Sequence, residues 1–301
     1  MLWSHLVSDT GYDELHAFAR RLPAPRRGFD LDHYDVPESL YRRALELGAI
    51  AVGPKEIVHR LRDSGLRVRQ AEREAARPIR RRQYLLAEWS GLGEALGARS
   101  GWGNLGDELV ARWNEPHRAY HDERHLEDVL LALDQLVTRG ERLSPSTLLA
   151  AWFHDAVYTG SGGSDELDSA RLAARALGDV GLDSGLVQSV GDLIVGTTPA
   201  RRIDDPAAPL AHLLDADLSI FGSPLHRYEQ YSLAVRREYA HVADADFSAG
   251  RARILVDYLE RVTIYRTTAA QDLWEQRARA NLAREIEGLT GAAAGGDSGL
   301  G

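Results

Sequence analysis

Residues 151–160 read AWFHDAVYTG. They follow Ser144-Pro145, a side-chain cap and a first-turn proline, and Leu148, Leu149, Trp152 and Ala156 then recur at helical spacing. An apolar helix is therefore expected from Ser144 to about Tyr158, before Gly160, Gly162 and Gly163 break it. This reading decides the fold class, because nearly every segment after about residue 84 has the same periodicity. Further helices are expected over 164–178, 184–195, 224–241, 249–263 and 269–288. The stretch also poses a chemical question. His154 and Asp155 stand in an apolar helix, and a buried imidazole or carboxylate is costly unless it is paired or bound to metal.

A His-Asp pair alone carries little, since a second one, His121-Asp122, stands upstream. Its company carries more. In PHRAYHDERHLEDV (116–129), His117, His121 and His125 recur every four residues, one face of a helix if the helix has begun. In LLDADLSIFG (213–222), Asp215 and Asp217 interrupt another apolar run. If the three segments converge, two His and two Asp can surround one divalent cation and leave positions open to water, as in a catalytic site. Adjacent helical residues diverge by about 100°, so the ion is expected at the helix edge between His154 and Asp155.

Composition narrows the chemistry. The chain has 301 residues and no cysteine, which excludes disulfides and thiolate metal sites. His and carboxylate ligands suit Mn, Mg, Fe or Zn. A net charge of -9 argues against a dedicated nucleic-acid partner. No apolar run approaches the ~20 residues of a membrane span. MLWSHLVSDT lacks the regions of a signal peptide, so a cytoplasmic protein is expected.

The order His125, His154-Asp155, Asp217 resembles the HD-domain superfamily of metal-dependent phosphohydrolases. The words EPHRAYHDERHLEDV, AAWFHDAVY, SDELDSA, LDADLSIFG, VRREYA and ARANLAREI resemble one branch of it, of unassigned substrate, over about residues 84–288. The resemblance implies a mainly α protein: an all-helical HD bundle preceded by a small α/β domain. It implies a divalent ion (Mn, Mg, Fe, Co, Ni or Zn) on His125, His154, Asp155 and Asp217, with Asp215 as the alternative last ligand or as a group orienting an imidazole. YHDERH (120–125) is also similar to the YHNxxH signature of cyclic-nucleotide phosphodiesterases, which makes His121 the candidate general acid beside Asp155 as catalytic residues. Arg118, Arg236 and Arg251 are candidate phosphate contacts, with surface salt bridges as the other account. Glu166 and Ser169 are candidates to reach the site or a second metal, with capping as the other account of Ser164 and Glu166. Many HD proteins carry further His residues before the last Asp. Here that stretch is VGTTPARRIDDP (195–206), with Arg201 and Arg202, and His212 is the only His between 155 and 217. One metal is expected, and a second one would rest on Glu166.

The first 70 residues mix signals. Thr10–Asp13 has capping-box form, Leu15, Phe18, Ala19 and Leu22 follow at helical spacing, and Pro23 stops the helix. Further helices are expected from Pro37 to Gly48 and from Pro54 to Gly65, with AIAV (49–52) and LRVRQ (66–70) as strands. LWSHLVSDT, DELHAFA and FDLDHYDVP resemble a short domain of unknown function (DUF4031-like) found alone or fused to HD domains. Related chains carry a further strand before LWSH, so Met1 is expected to be a late start. His5, Asp9, His16, Asp32, His33 and Asp35 form either a site or capping, turn and surface groups. Residues 71–83 (AEREAARPIRRRQ, with Pro78) are expected to be a linker, and 289–301 a disordered tail.

The expected activity is hydrolysis of a phosphate ester or anhydride in a nucleotide or other small phosphorylated metabolite. A non-catalytic nucleotide- or metal-binding sensor is the second reading, and a di-iron HD-type oxygenase the third.

Overall fold

Tyr34 and Val36 alternate with polar neighbours, and strand pairing follows from that alternation. β1 (Trp3–Leu6) runs antiparallel to β2 (Tyr34–Pro37), with Ser4 opposite Val36 and His5 opposite Asp35. Tyr34 and Val36 enter a core with Leu15, Ala19 and Leu22 of helix α1 (Tyr12–Arg21) and its C-cap, and with Ala44 of α2 (Glu38–Glu46). His5 and Asp35 therefore share the opposite face. α3 (Pro54–Asp63) follows. This computed structural model describes residues 3–22, 24, 28–160, 164–198, 203 and 205–295. They divide into two compact units, 1–84 and 85–301.

Several local expectations change. α1 is entered through Ser8, whose hydroxyl accepts the N–H groups of Thr10 and Gly11, and no side chain caps it as Thr10 was expected to do. Pro23 lies outside the described residues. Neither 49–52 nor 66–70 is a strand. Their backbone groups have other partners: Ala49 N–H bonds Ala44 O, Leu66 O accepts the Tyr12 hydroxyl, and Val68 N–H bonds Asp32. The expected linker is helical from Arg73 onward, within α4 (Arg73–Leu96), despite Pro78. An internal proline costs about 3 kcal/mol, but Ala, Arg, Glu, Gln and Leu crowd this segment and favour helix. Arg80 also lies over the Tyr12 ring at 3.8 Å.

The second unit is all-helical among its described residues. Its elements are the end of α4, α5 (Trp102–Trp113), α6 (Glu123–Thr138), α7 (Pro145–Phe153), α8 (Asp165–Asp179), α9 (Ser184–Gly196), α10 (Ala208–Asp217), α11 (Leu225–Glu238) and α12 (Asp244–Leu259). A short α13 (Thr268–Ala270) passes through a π-helical stretch, 271–275, into α14 (Gln276–Gly295). The expected tail is thus helical as far as Gly295, and 296–301 lie outside the described residues. α7 is capped by the Ser144 hydroxyl at Thr147 N–H, and Leu149 to Phe153 are buried on every side. It packs against α6, α9 and α10, so α6, α7 and α10 bring their ends together. α7 stops at Phe153, five residues early, and His154 and Asp155 fall in the turn beyond it. No described helix is long and apolar enough to cross a membrane.

A pair of indoles locks α4 to α5. Trp89 and Trp102 stack at 4.1 Å, and each Nε1 donates to the other's backbone carbonyl, at 2.8 and 2.7 Å. Two glycines make room, since a Cβ at Gly106 would lie 2.3 Å from Trp89 and one at Gly93 would lie 2.2 Å from Trp102. Gly106→Ala should therefore destabilise the protein by roughly 1–3 kcal/mol, despite alanine's higher helix propensity. Denaturant unfolding with an unchanged m-value checks this.

Candidate metal centre

Asp122 accepts the N–H groups of Arg124 and His125, capping α6 and setting His125 in its first turn. The upstream His-Asp pair is thus a capping device. His121 precedes the helix, so 117, 121 and 125 do not form one helical face. α7 delivers His154 at its C-cap, and α10 ends on Asp217. Both imidazoles are about 1 % exposed.

The donor atoms converge. His125 Nε2 lies 3.2 Å from His154 Nε2 and 3.2 Å from Asp217 Oδ1, and His154 Nε2 lies 3.7 Å from that same oxygen. Asp155 Oδ2 is 3.3 Å from His154 Nε2, 3.8 Å from His125 Nε2 and 4.0 Å from His121 Nε2. Ligand atoms ~2.0–2.1 Å from a tetrahedral ion stand roughly 3.3 Å apart, so these spacings fit one. His154 Nδ1 donates to Ala151 O at 2.9 Å, which leaves its Nε2 facing His125. Two Nε2 atoms this close repel unless a proton or a cation stands between them. His125, His154 and Asp217 thus form a group able to hold a metal ion, with Asp155 beside it. Trp113 borders it, with ring centroids 6.0 Å from His125 and 5.5 Å from His154.

The charges favour a cation. Burial works against protonating His154, but the Asp155 and Asp217 carboxylates prevail and raise its pKa to about 9. Burial likewise opposes the Asp217 carboxylate, yet its bonds to His125 and His154 hold it far below the usual range. Without an ion the site recruits a proton, and a divalent ion meets the same demand.

Glu238, at the end of α11, is a functional candidate that sequence reasoning missed. Its Oε1 accepts the N–H groups of Ala119, Tyr120 and His121 at 2.7–2.9 Å. Its Oε2 accepts His121 Nδ1 at 2.7 Å and the Tyr158 hydroxyl at 3.0 Å. Tyr158 also stacks on His121 at 4.2 Å. Burial alone would raise the Glu238 carboxyl, but the His121 bond, its charge and the backbone N–H groups bring it to about 2. Burial lowers His121, but Glu238, Asp155 and Asp217 outweigh it and raise the imidazole above its ordinary value.

Other expected site residues have different work. Asp215 is fully buried, and its two oxygens take the Arg266 and Thr267 N–H groups and the Thr267 hydroxyl, so it clamps a turn and does not join the cluster. The Arg118 side chain is also fully buried, and it donates to the carbonyls of His121, Asp155 and Ala156 and to Glu115. Arg236 holds Asp244 and the carbonyls of Tyr239 and Val242, and Arg251 pairs with Glu285 and Tyr231. None of the three guanidiniums is free for phosphate. In SDELDSA the working groups are Asp165, which takes the Thr159 N–H and hydroxyl, and Ser169, which bonds the backbone of Val157. Glu166 joins no metal-type group among the described residues. His212 faces Glu141 at 3.0 Å. Arg201 and Arg202 lie outside the described residues.

Arg266 was also missed. Its Nε and Nη1 are buried with no hydrogen-bond partner among the described residues, and the nearest Asp215 oxygen is 3.9 Å from Nη1. Burial pulls its pKa down, against the pull of Asp215 and Asp217.

Asp215→Ala should destabilise the protein by about 2–3 kcal/mol, because it strands buried backbone donors, and should leave bound metal unchanged. Unfolding curves and metal analysis on the same samples check both. Among known proteins, a family model described as a protein of unknown function (DUF4031) matches residues 1–64. No curated protein and no solved structure matches the chain. The first 64 residues are therefore similar to that uncharacterised domain, in line with the resemblance of LWSHLVSDT and FDLDHYDVP.

Proposed function

We propose that the second unit is a metal-dependent phosphohydrolase that cleaves a phosphate ester or anhydride, of a nucleotide or another small phosphorylated metabolite. The observation that carries this reading is the meeting of His125, His154 and Asp217 at ligand spacing, beside an imidazole already oriented by a buried carboxylate. The resemblance of the same residues to the HD-domain superfamily supports it. His125, His154 and Asp217 would hold the ion, with Asp155 as the fourth donor. A bound divalent ion acidifies water for attack and neutralises phosphate charge.

The chain's own groups account for the rest. His121 keeps its Nδ1–H on Glu238, so the proton it can release is on Nε2, which faces the Asp155 side of the cluster. It protonates the leaving oxygen and returns to a neutral ring that Glu238 and Tyr158 keep in place. Glu238 acts through His121 as a positioning residue. Arg266 Nε and Nη1 are buried without a hydrogen-bond partner among the described residues, and a phosphate oxygen that reached its guanidinium would supply one. A di-iron oxygenase would need ligands for a second ion, and the described residues of this unit form one such group.

Reconstitution with Mn, Mg, Fe, Co, Ni or Zn and assay against phosphomonoesters and nucleotides tests the reading. Turnover is expected with at least one metal, and His154→Ala should lose both metal and turnover. No turnover with any of the six, or equal turnover in His154→Ala, overturns it; tight nucleotide binding without turnover replaces it with the sensor reading. His121→Ala should keep the metal and lose roughly 100- to 10,000-fold in kcat. Activity should fall as pH rises through the raised pKa of His121, since the protonated form is the acid. Glu238→Gln should shift that fall to lower pH, which a kcat/KM profile reads directly. Arg266→Ala should raise KM roughly 10- to 100-fold, as expected for a lost charged hydrogen bond.

A further inference from the structure

We infer that the N-terminal unit carries a metal site of its own, in which His5, His33 and Asp35 take a divalent transition-metal ion. The strand register makes the first half of it. Because Tyr34 and Val36 are committed to the core, His5 and its cross-strand partner Asp35 face outward together. The turn before β2 makes the second half, with Leu31 at φ 64 leading into Asp32 and His33. The three side chains then meet. Asp35 Oδ1 lies 3.5 Å from His5 Nε2 and 3.5 Å from His33 Nε2, and one ligand atom from each residue falls within 4.8 Å of the others.

Two features separate this cluster from an ordinary surface ion pair. The first is spacing. At 3.5 Å the contacts are longer than good N–H···O hydrogen bonds of ~2.7–3.2 Å, and they match the roughly 3.3 Å between ligands ~2.0–2.1 Å from a tetrahedral ion. The second is support from behind. His33 Nδ1 bonds Asp32 Oδ1 at 2.7 Å, and Asp32 is only 2 % exposed, its other oxygen taking the Val68 N–H at 2.9 Å. That bond fixes the proton on Nδ1 and turns the Nε2 lone pair toward Asp35, the carboxylate–histidine arrangement that backs metal ligands. A surface ion pair has no need of a buried carboxylate aimed at the far side of its imidazole. The other polar residues of this region stay out of the group: Asp9 pairs with Arg60, and His16 Nδ1 bonds the Tyr34 hydroxyl.

Two imidazoles and one carboxylate leave coordination positions open, as in catalytic zinc and non-haem iron sites. His5 and His33 also line a cavity of about 820 Å³, together with Trp3, Asp32 and Arg67. The open positions thus border a space for water or a small ligand.

The test counts ions. Untagged full-length protein is stripped of metal, loaded with cobalt(II) or zinc(II), freed of excess and analysed for bound ion. The wild type is expected to hold two ions, His5→Ala and His33→Ala one each, and His154→Ala one. His5 has a largely exposed side chain, so His5→Ala should fold as the wild type does, and circular dichroism checks that. Asp32→Asn keeps all three ligands and should weaken this site roughly 10- to 100-fold. Equal ion counts in the wild type and in folded His5→Ala overturn the inference. If instead the second unit binds nothing, the wild type holds one ion, His154→Ala still holds it and His5→Ala loses it, so the two sites are judged separately.

Discussion

The Arg118 guanidinium ties the second unit's site together. It has no exposure to water and donates to carbonyls on both sides of the site, His121 in the loop before α6 and Asp155 and Ala156 in the turn after α7. A buried cation is costly without hydrogen bonds, and here loop carbonyls and Glu115 supply them. In return the guanidinium ties the backbone of His121 to that of Asp155, whose carboxylate lies 4.0 Å from the imidazole. Glu238 completes the frame from a third direction by gathering three successive N–H groups of the same loop. The imidazoles at the centre are thus held by backbone that side chains have fixed from outside.

Much of this was legible in the sequence, for a physical reason. His125, His154 and Asp217 are polar residues in segments whose periodicity commits them to the interior, and such residues must find one another or an ion. The helical class followed from the same periodicity. What stayed hidden was the supporting layer. Glu238 looks like any glutamate near the end of a polar helix, and its partners lie 80 to 119 residues away. Arg118 fitted a phosphate clamp as well as it fits a carbonyl clamp, because a guanidinium does both. LRVRQ alternated like a strand, but Asp32 and Tyr12 take its backbone groups. The composition of AEREAARPIRRRQ (71–83) is equally misleading: charge there marks a solvated helix face and not an absence of structure.

The two His-carboxylate clusters reach similar geometry by different means. In the second unit the clustered side chains sit at helix ends, and a backbone carbonyl, Ala151 O, fixes the His154 tautomer. In the first unit His5 and Asp35 sit on a two-stranded ribbon and His33 in the turn before it, and a buried carboxylate, Asp32, does that work for His33. A carboxylate partner raises the basicity of the imidazole it backs. Burial is also opposed: His154 is about 1 % exposed, whereas the His5 side chain is 58 % exposed. A largely buried pair of imidazoles suits a site that retains its ion, and an open one suits exchange with solution.

The placement of the indoles gives the molecule built-in optical reporters. Trp113 lies against both imidazoles of the buried cluster, whereas Trp3, which is 57 % exposed, shares the N-terminal cavity with His5 and His33. The remaining tryptophans are buried, so Trp3 alone supplies the long-wavelength edge of the fluorescence. A paramagnetic ion quenches an indole beside it. Quenching at the blue side of the emission band therefore reports an ion near Trp113, and quenching at the red edge reports one near Trp3.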